Sequence, residues 1–424
     1  MCIILEQIKN IVWGLPTLAL LLVCGIYFTH KSRFYRPKAF ISVFRDTFKS
    51  LKVKGNDGIS PFAAIATALG GTVGVGSIVG VGYAVSVGGA GSIFWMWVCS
   101  FFGMGLKYAE VETALKKRDK TSGKALGGAH IRLMGLGYRK TAFIFCIFCV
   151  LASFGTGNIT QVGAISSFLQ EMGVAKPFCA VICVAVIATA VFGGRGRIAK
   201  TNTFIVPTAS VIYIFACVAI LIINYRSILP SFQLILGQAF GFDACLGGFS
   251  GAVLARVLRE GFVRSMFSNE AGMGSSPLAH ATAEQTAPKL QAKWVIFEIF
   301  FDTFIVSTLT ALCLLSSNSD MPSNMFFNMF GNIGKTVFGM LTAVFAFASV
   351  ISWCYYAECC ISFMFPNKNA PLWIYRVAFS LFDVCGVFVS GGKIWELEDI
   401  LNAFMMFPNL FLLFKCRKEI ERIV

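Results

Sequence analysis

The sequence predicts an all-α polytopic membrane protein of about 11 transmembrane helices. Behind one N-terminal span, ten further spans form a 5+5 inverted repeat. Three observations predict this. Of 424 residues, 56% are hydrophobic and only 13% charged, with a mean hydropathy of +0.73. Soluble domains carry about a quarter charged residues, and several runs here exceed the roughly 18 apolar residues that mark a spanning helix. Second, Lys and Arg crowd one set of loops. Third, two apolar segments are interrupted by glycines and small polar residues: GGTVGVGSIVGVG (70–82) and FSNEAGMGSSP (267–277). The runs are continuous and do not alternate, so a β-barrel is not expected.

Taken in order, span 1 (11–29) is followed, not preceded, by its positive charges Lys31, Arg33, Arg36 and Lys38. A secretory leader has the opposite polarity, so the N-terminus is expected outside. Residues 39–58 predict a surface-lying amphipathic segment, because Phe40, Phe44 and Phe48 recur every fourth residue between basic ones. Span 2 (61–87) contains the first glycine break. Span 3 (93–115) runs back to Lys116, Lys117 and Arg118, and a basic loop extends to Lys140. Span 4 (141–169) carries the polar stretch GTGNITQ (155–161). Spans 5 (177–193) and 6 (203–224) flank Arg195, Arg197 and Lys200. Residues 225–250 are expected as an outer loop or re-entrant stretch. Span 7 (251–283) holds the second break, and spans 8 (294–315), 9 (336–365), 10 (372–390) and 11 (394–414) follow.

On this assignment the inner side holds 27 of the 36 Lys and Arg residues and the outer side 5. Such asymmetry over short loops sets orientation, and it predicts N-out, C-in. The net charge of +15 is therefore explained by membrane orientation, and nucleic acid is not an expected partner. The predicted units are 1–58 (N-terminal span and amphipathic segment), 59–250 (first repeat, spans 2–6, with the outer loop) and 251–424 (second repeat, spans 7–11). Spans 2 and 7 open the two repeats, and the two breaks fall in them.

Glycine and proline interrupt helical hydrogen bonding. In a membrane, unwound backbone persists only where protein buries it or a cavity receives it. Two such segments in corresponding halves point to a transporter's binding site. Gly76 and Gly80 would also serve plain close helix packing, but the glycines at 70, 71, 74, 76, 80 and 82 are denser than packing requires. A dinucleotide loop is excluded because no strand precedes it and no acid follows about 20 residues on. Glu270 and Asp302 are costly in hydrocarbon and so are candidates for gating or proton carriage; Glu270 could equally hold the break open. Arg256, Glu260 and Arg264, four residues apart, are expected to pair with one another. The 15 Cys residues lie mostly inside apolar runs and read as small apolar residues. No HExxH or GxSxG element is present, and no enzyme is expected.

The motifs themselves are similar to a known family. FSNEAGMGSSPLAHATA (267–283), preceded by REGFVRSM, resembles the signature of the alanine/glycine:cation symporters. So do GGAGSIFWMWV (88–98), KYAE (107–110), GTGNITQ (155–161), GGRGRIAK (193–200), DTFIVSTLTAL (302–312) and WCYYAE (353–358). The resemblance implies a leucine-transporter-like fold and cation-coupled import of a small neutral amino acid, alanine or glycine, by alternating access. Sodium is the implied coupling ion, with protons as the alternative and the lipid bilayer of a plasma membrane (a bacterial inner membrane) as the setting. An uncoupled channel or a substrate sensor on the same fold is the rival reading.

The resemblance also implies the site. Substrate contacts fall on Thr72, Gly74, Val75, Gly76, Ser77, Gln161, Ser268, Met273, Gly274 and Trp353, with the substrate carboxylate on the N–H groups around 75–77. Gln161, Met273 and Trp353 set the size limit. The implied sodium cage comprises Gly70, Val73, Phe345 and Ser349, with Ser77 holding a second ion. The chain departs from the family pattern at Ser77 (usually Asn), Ala90 (Pro), Ala348 (a hydroxyl residue) and Ser352 (Gly). Ala348 leaves the implied cage one ligand short.

Overall fold

The protein is described from a computed structural model that covers residues 8, 11–50, 60–117, 127–240, 250–283, 287–319, 321–389 and 392–423. Among these residues it is built of helices. The first half comprises α1 (Leu15–Ser32), α2 (Pro37–Ser50), α3 (Pro61–Thr72), α4 (Val75–Gly88), α5 (Ser92–Lys116), α6 (Ala129–Gly135), α7 (Arg139–Phe154), α8 (Thr160–Glu171), α9 (Lys176–Val191), α10 (Gly194–Ile223) and α11 (Tyr225–Ala239). The second comprises α12 (Ser250–Asn269), α13 (Ser276–His280), α14 (Pro288–Ile299), α15 (Thr308–Ser316), α16 (Pro322–Met364), α17 (Ala370–Phe388) and α18 (Gly392–Cys416). Wider π turns, Gly155–Ile159 and Phe300–Ser307, join α7 to α8 and α14 to α15.

Eight helical stretches among the described residues are long and apolar enough to cross a membrane. Three expected spans fall outside that set for readable reasons. Residues 92–116 carry Lys107, Glu110 and Glu112, α9 has only 16 residues, and span 7 is broken and bears charge. Both breaks lie inside the expected segments. The first is confined to Val73 and Gly74, between α3 and α4, and the second runs from Glu270 to Ser275, between α12 and α13.

Two expected segments take a definite form. Most of the stretch expected as an outer loop or re-entrant stretch is a helix, α11; it buries Ile235 and Ala239 and exposes Leu229, Leu234 and Leu236. Residues 241–249 lie outside the described residues. The aromatic stripe of α2 packs on α14. Phe40 and Phe44 meet Phe300, and Phe44 and Phe48 meet Phe297, edge-on, with centroids 5.5 to 6.1 Å apart. Asp46 joins Lys293 at 2.6 Å, and Trp294 donates to Ser50 at 2.9 Å. These contacts fix α2 to α14; residues 51–58 of the expected segment are not among those described.

Helix α5 forms the centre of one half of the core, against α1, α12 and α14. Its small residues allow that approach: a Cβ on Gly103 would stand 3.2 Å from Ala271. Helix α16 plays the matching part for α3, α8 and α10. A Gly331 of φ +61 interrupts α16, so the run that packs on the breaks is 332–364, close to the expected span 9.

Candidate functional site

The helix ends beside the two breaks touch. A Cβ on Gly76 would lie 3.0 Å from the Phe267 ring and 3.4 Å from the Ser268 Cα, so only glycine lets α4 approach the end of α12 this closely. Directly below, Ser77 and Ser268 face each other with hydroxyls 3.0 Å apart. Both donate to the Asp302 carboxylate, Ser268 at 2.6 Å. The Ser77 hydroxyl also lies 3.2 Å from the Thr72 carbonyl, and Thr303 sits 3.2 Å from Asp302. All are buried. The result is a compact set of oxygens around one carboxylate, drawn from α3, α4, α12 and the π turn before α15.

On the other side of the first break, the Ser349 hydroxyl donates to the Gly70 carbonyl at 2.8 Å. Any Cβ on Gly74 would collide with that hydroxyl and stand 3.5 Å from Gln161 Oε1. The Gln161 Oε1 atom is buried with no hydrogen-bond partner among the described residues, as are Trp353 Nε1 and Tyr356 Oη. Buried polar atoms are normally satisfied, and two of these three, on Gln161 and Tyr356, stand beside the glycines of the first break. Gly71 comes within 2.6 Å of Tyr356 Oη when given a Cβ. A cavity of about 560 Å³ reaches this region from Val75 and Val79 through Thr160, Gly163 and Phe338 to Lys176 and Met321.

The structure therefore brings together Thr72, Ser77, Ser268 and Asp302 in one cluster, and Gly70, Gly74, Gln161 and Ser349 in another. Gly76 and Val75 stand between them. Met273 and Trp353 lie in the same buried cluster as Phe145 and Tyr356. Gly274, φ +77, takes a conformation that favours glycine and abuts Asn409 and Phe145. Phe345 is buried on Tyr213, with centroids 6.2 Å apart. Ala348 is wholly buried and brings no oxygen. Ser352, expected only as a departure from glycine, donates to the Thr67 carbonyl at 2.8 Å and accepts from Asn202 at 2.7 Å.

Glu270 takes φ +53 and accepts a hydrogen bond from Ser275 across its own turn. More of the second break is held by residues outside the site expected from the sequence, in which Glu298 reads only as part of a polar seam with Asp302, and His280 as structural. Lys107 donates to the Asn269 carbonyl at 2.7 Å and to Glu298 at 2.6 Å. Glu298 also meets His280 and Ser276 at 3.3 Å and Thr72 at 3.4 Å. Glu110 accepts the Gly272 N–H at 2.5 Å, and Asn409 donates to the Gly272 carbonyl at 2.8 Å. The available signal was the presence of Lys107 and Glu298 within apolar runs, since a buried charge requires a partner. Their separation of 191 residues conceals the pairing. Of the expected Arg256–Glu260–Arg264 grouping, the Glu260–Arg264 pair is present at 3.9 Å; Arg264 also reaches Asp399 of α18 at 3.4 Å and covers the Tyr83 ring at 4.9 Å.

Two interrupted helices crossing at a buried polar centre, within a bundle of long apolar helices, define a polytopic membrane protein of the leucine-transporter fold. A search of solved structures agrees. The crystal structure of MhsT in complex with L-phenylalanine superposes with a TM-score of 0.63 over 85% of this chain and 90% of that one, at 15% sequence identity. The whole chain, residues 1–424, matches the sodium:alanine symporter family, and the protein belongs to that family of transporters. Among its relatives, the sodium/alanine symporter AgcS of Methanococcus maripaludis is 33% identical, covering 96% of this chain and 93% of its own. The probable sodium/glutamine symporter GlnT of Bacillus subtilis is 31% identical, covering 98% and 89%. An uncharacterized transporter of Haemophilus influenzae is 35% identical, covering 98% and 94%.

Proposed function

We propose that this protein is a sodium-coupled symporter that imports a small neutral amino acid, alanine or glycine, across a bacterial inner membrane by alternating access. In this reading the two repeats, 59–250 and 251–424, have inverted topology with N-out and C-in, and the broken helices rock against the rest. The observation that carries it is the oxygen cluster of Thr72, Ser77, Ser268 and Asp302 at the crossing of the two breaks. Hard cations prefer oxygen ligands, and a carboxylate supplies a full opposite charge where the dielectric is low. Sodium therefore binds at Asp302 and Ser77, beside the substrate. The cage around Gly70, Val73, Phe345 and Ser349 is the weaker of the two, because Ala348 adds no side-chain ligand and, among the described residues, no carboxylate faces it.

The amino acid places its carboxylate at the N–H groups that begin α4, around Val75–Ser77, where a helix N-terminus carries partial positive charge. Thr72, Gly74, Gly76 and Ser268 line it, while Gln161, Met273, Gly274 and Trp353 limit its side chain. Radiolabelled alanine uptake into proteoliposomes tests the reading. Uptake should rise with an inward sodium gradient, and Asp302→Asn should weaken apparent sodium affinity at least about tenfold, equivalent to about 1.4 kcal/mol. Uptake that follows pH and ignores sodium would replace sodium with protons carried by Asp302 or Glu270. Flux that ignores both would favour an uncoupled channel, and substrate binding without flux a sensor.

A further inference from the structure

We propose that His130, Cys146 and Cys360, with the neutral Cys149 thiol beside them, form a binding site for a thiophilic divalent metal ion, Zn²⁺. One ligand atom from each of His130, Cys146 and Cys360 lies within 4.8 Å of the others. Cys149 adjoins Cys360. Read from the sequence, these cysteines are apolar filling with no paired CxxC spacing expected; that expectation is corrected, since Cys146 and Cys149 stand at CxxC spacing on α7. On a helix, residues three apart share a face. All four side chains are at most 1% exposed.

The imidazole supplies the second, independent observation. His130 is held from α6 by ring contacts with Phe363 (centroids 4.8 Å apart) and Phe145 (6.2 Å, stacked). Its Nδ1 atom is buried with no hydrogen-bond partner among the described residues. A buried imidazole nitrogen normally has one. An imidazole with an unpartnered buried nitrogen, grouped with two thiols, has the character of a ligand rather than of packing.

The geometry and charge select the ion. Tetrahedral zinc takes sulfur at about 2.3 Å and nitrogen at about 2.0–2.1 Å, which sets neighbouring ligand atoms roughly 3.5–3.8 Å apart. Closing from 4.8 Å asks only for small side-chain rotations. Soft thiolates exclude the hard ions that oxygen cages favour. Two thiolates and a neutral imidazole around a divalent ion also sum to zero charge, and uncompensated charge in such a site is costly. On binding, two Cys–Sγ protons are released to solvent as two metal–sulfur bonds form, so no oxidant is consumed. Arg132, two residues along, is engaged elsewhere, on Glu419 at 2.5 Å.

The ion would tie α6 and the start of α7 to the end of α16. This lies directly against the inner part of broken span 7, where Phe145 abuts Gly274 and Gly128 abuts Leu278. It shares no residue with the set proposed for sodium and substrate, so its failure would leave that reading untouched. The test is the metal content of the full-length protein, purified in detergent from zinc-supplemented cells. About one zinc per chain is expected, falling at least about tenfold in Cys360→Ser and in His130→Phe, with each variant checked for a monodisperse size-exclusion peak. Protein from cobalt-grown cells should show thiolate-to-cobalt absorption in the near ultraviolet, lost in Cys146→Ser. Zinc-free wild-type protein, unchanged zinc in monodisperse variants, or a Cys146–Cys360 or Cys149–Cys360 disulfide by mass spectrometry would each overturn the site.

Discussion

The two helix breaks differ in how their exposed backbone is satisfied. The break between α3 and α4 occupies two residues, Val73 and Gly74, and neither takes a left-handed φ. The Val73 N–H returns to Leu69 at 2.7 Å, and the Gly70 carbonyl receives one hydroxyl, that of Ser349. The break between α12 and α13 occupies six residues, with Glu270, Gly272 and Gly274 all at positive φ. Its carbonyls and N–H groups are held by Lys107, Glu110 and Asn409, which lie on α5 and α18. The short break leaves few groups to satisfy, and a single hydroxyl from α16 meets the Gly70 carbonyl. The long one leaves several polar groups that need several partners from other helices, and two of the three here, Lys107 and Glu110, are charged. The second break is therefore tied to α5, α14 and α18, while the first is comparatively free to change.

The largest expected effect tests that tie. Lys107→Ala would leave Glu298 buried without its cation and strip the Asn269 carbonyl of its donor. Breaking a buried ion pair from one side costs about 3–5 kcal/mol, so the variant should lose most of its thermal stability in detergent. Adding Glu298→Gln should recover part of the loss, and a double-mutant cycle with no coupling would show that the pair does not brace the break.

A smaller pair of effects separates the two breaks directly. Gly274→Ala places a Cβ at φ +77 and against Asn409, a backbone strain of about 1–3 kcal/mol that no neighbouring substitution should relieve. Gly74→Ala meets chiefly the Ser349 hydroxyl. Its stability loss should shrink when Ser349→Ala is added. Equal rescue at both positions, measured as melting temperature, would erase the distinction between them.

The smallest effect lies outside both breaks, where α2 joins α14. Burial raises the Asp46 carboxyl, but hydrogen bonds and charge from Lys293 and Arg45 outweigh it and hold it below the usual carboxylate range. A depressed carboxylate stabilises the fold above its unfolded pKa, and that contribution fades as pH falls through the folded value. Because Asp46 is partly exposed, Asp46→Asn should cost no more than about 1 kcal/mol at neutral pH. The difference from wild type should vanish in acid; a difference that grew on acidification would contradict the ion pair.

Hydropathy, the basic loops and the glycine-rich breaks were enough to determine the helical membrane class, the approximate spans and the position of both interruptions, because each is a local property of the chain. The family motifs likewise named Ser77, Gln161, Ser268 and Trp353. Tertiary structure alone decided which buried polar groups face one another. Lys107 joins Glu298, Arg264 reaches Asp399, and Ser77 meets Asp302, across separations of 191, 135 and 225 residues. It also gathered His130 and Cys360 beside the CxxC of α7. The physical reason is that hydrocarbon makes a partner obligatory for each buried charge or dipole without saying which residue it is. Periodicity identifies a residue's face, and only the packing of the helices determines what stands opposite.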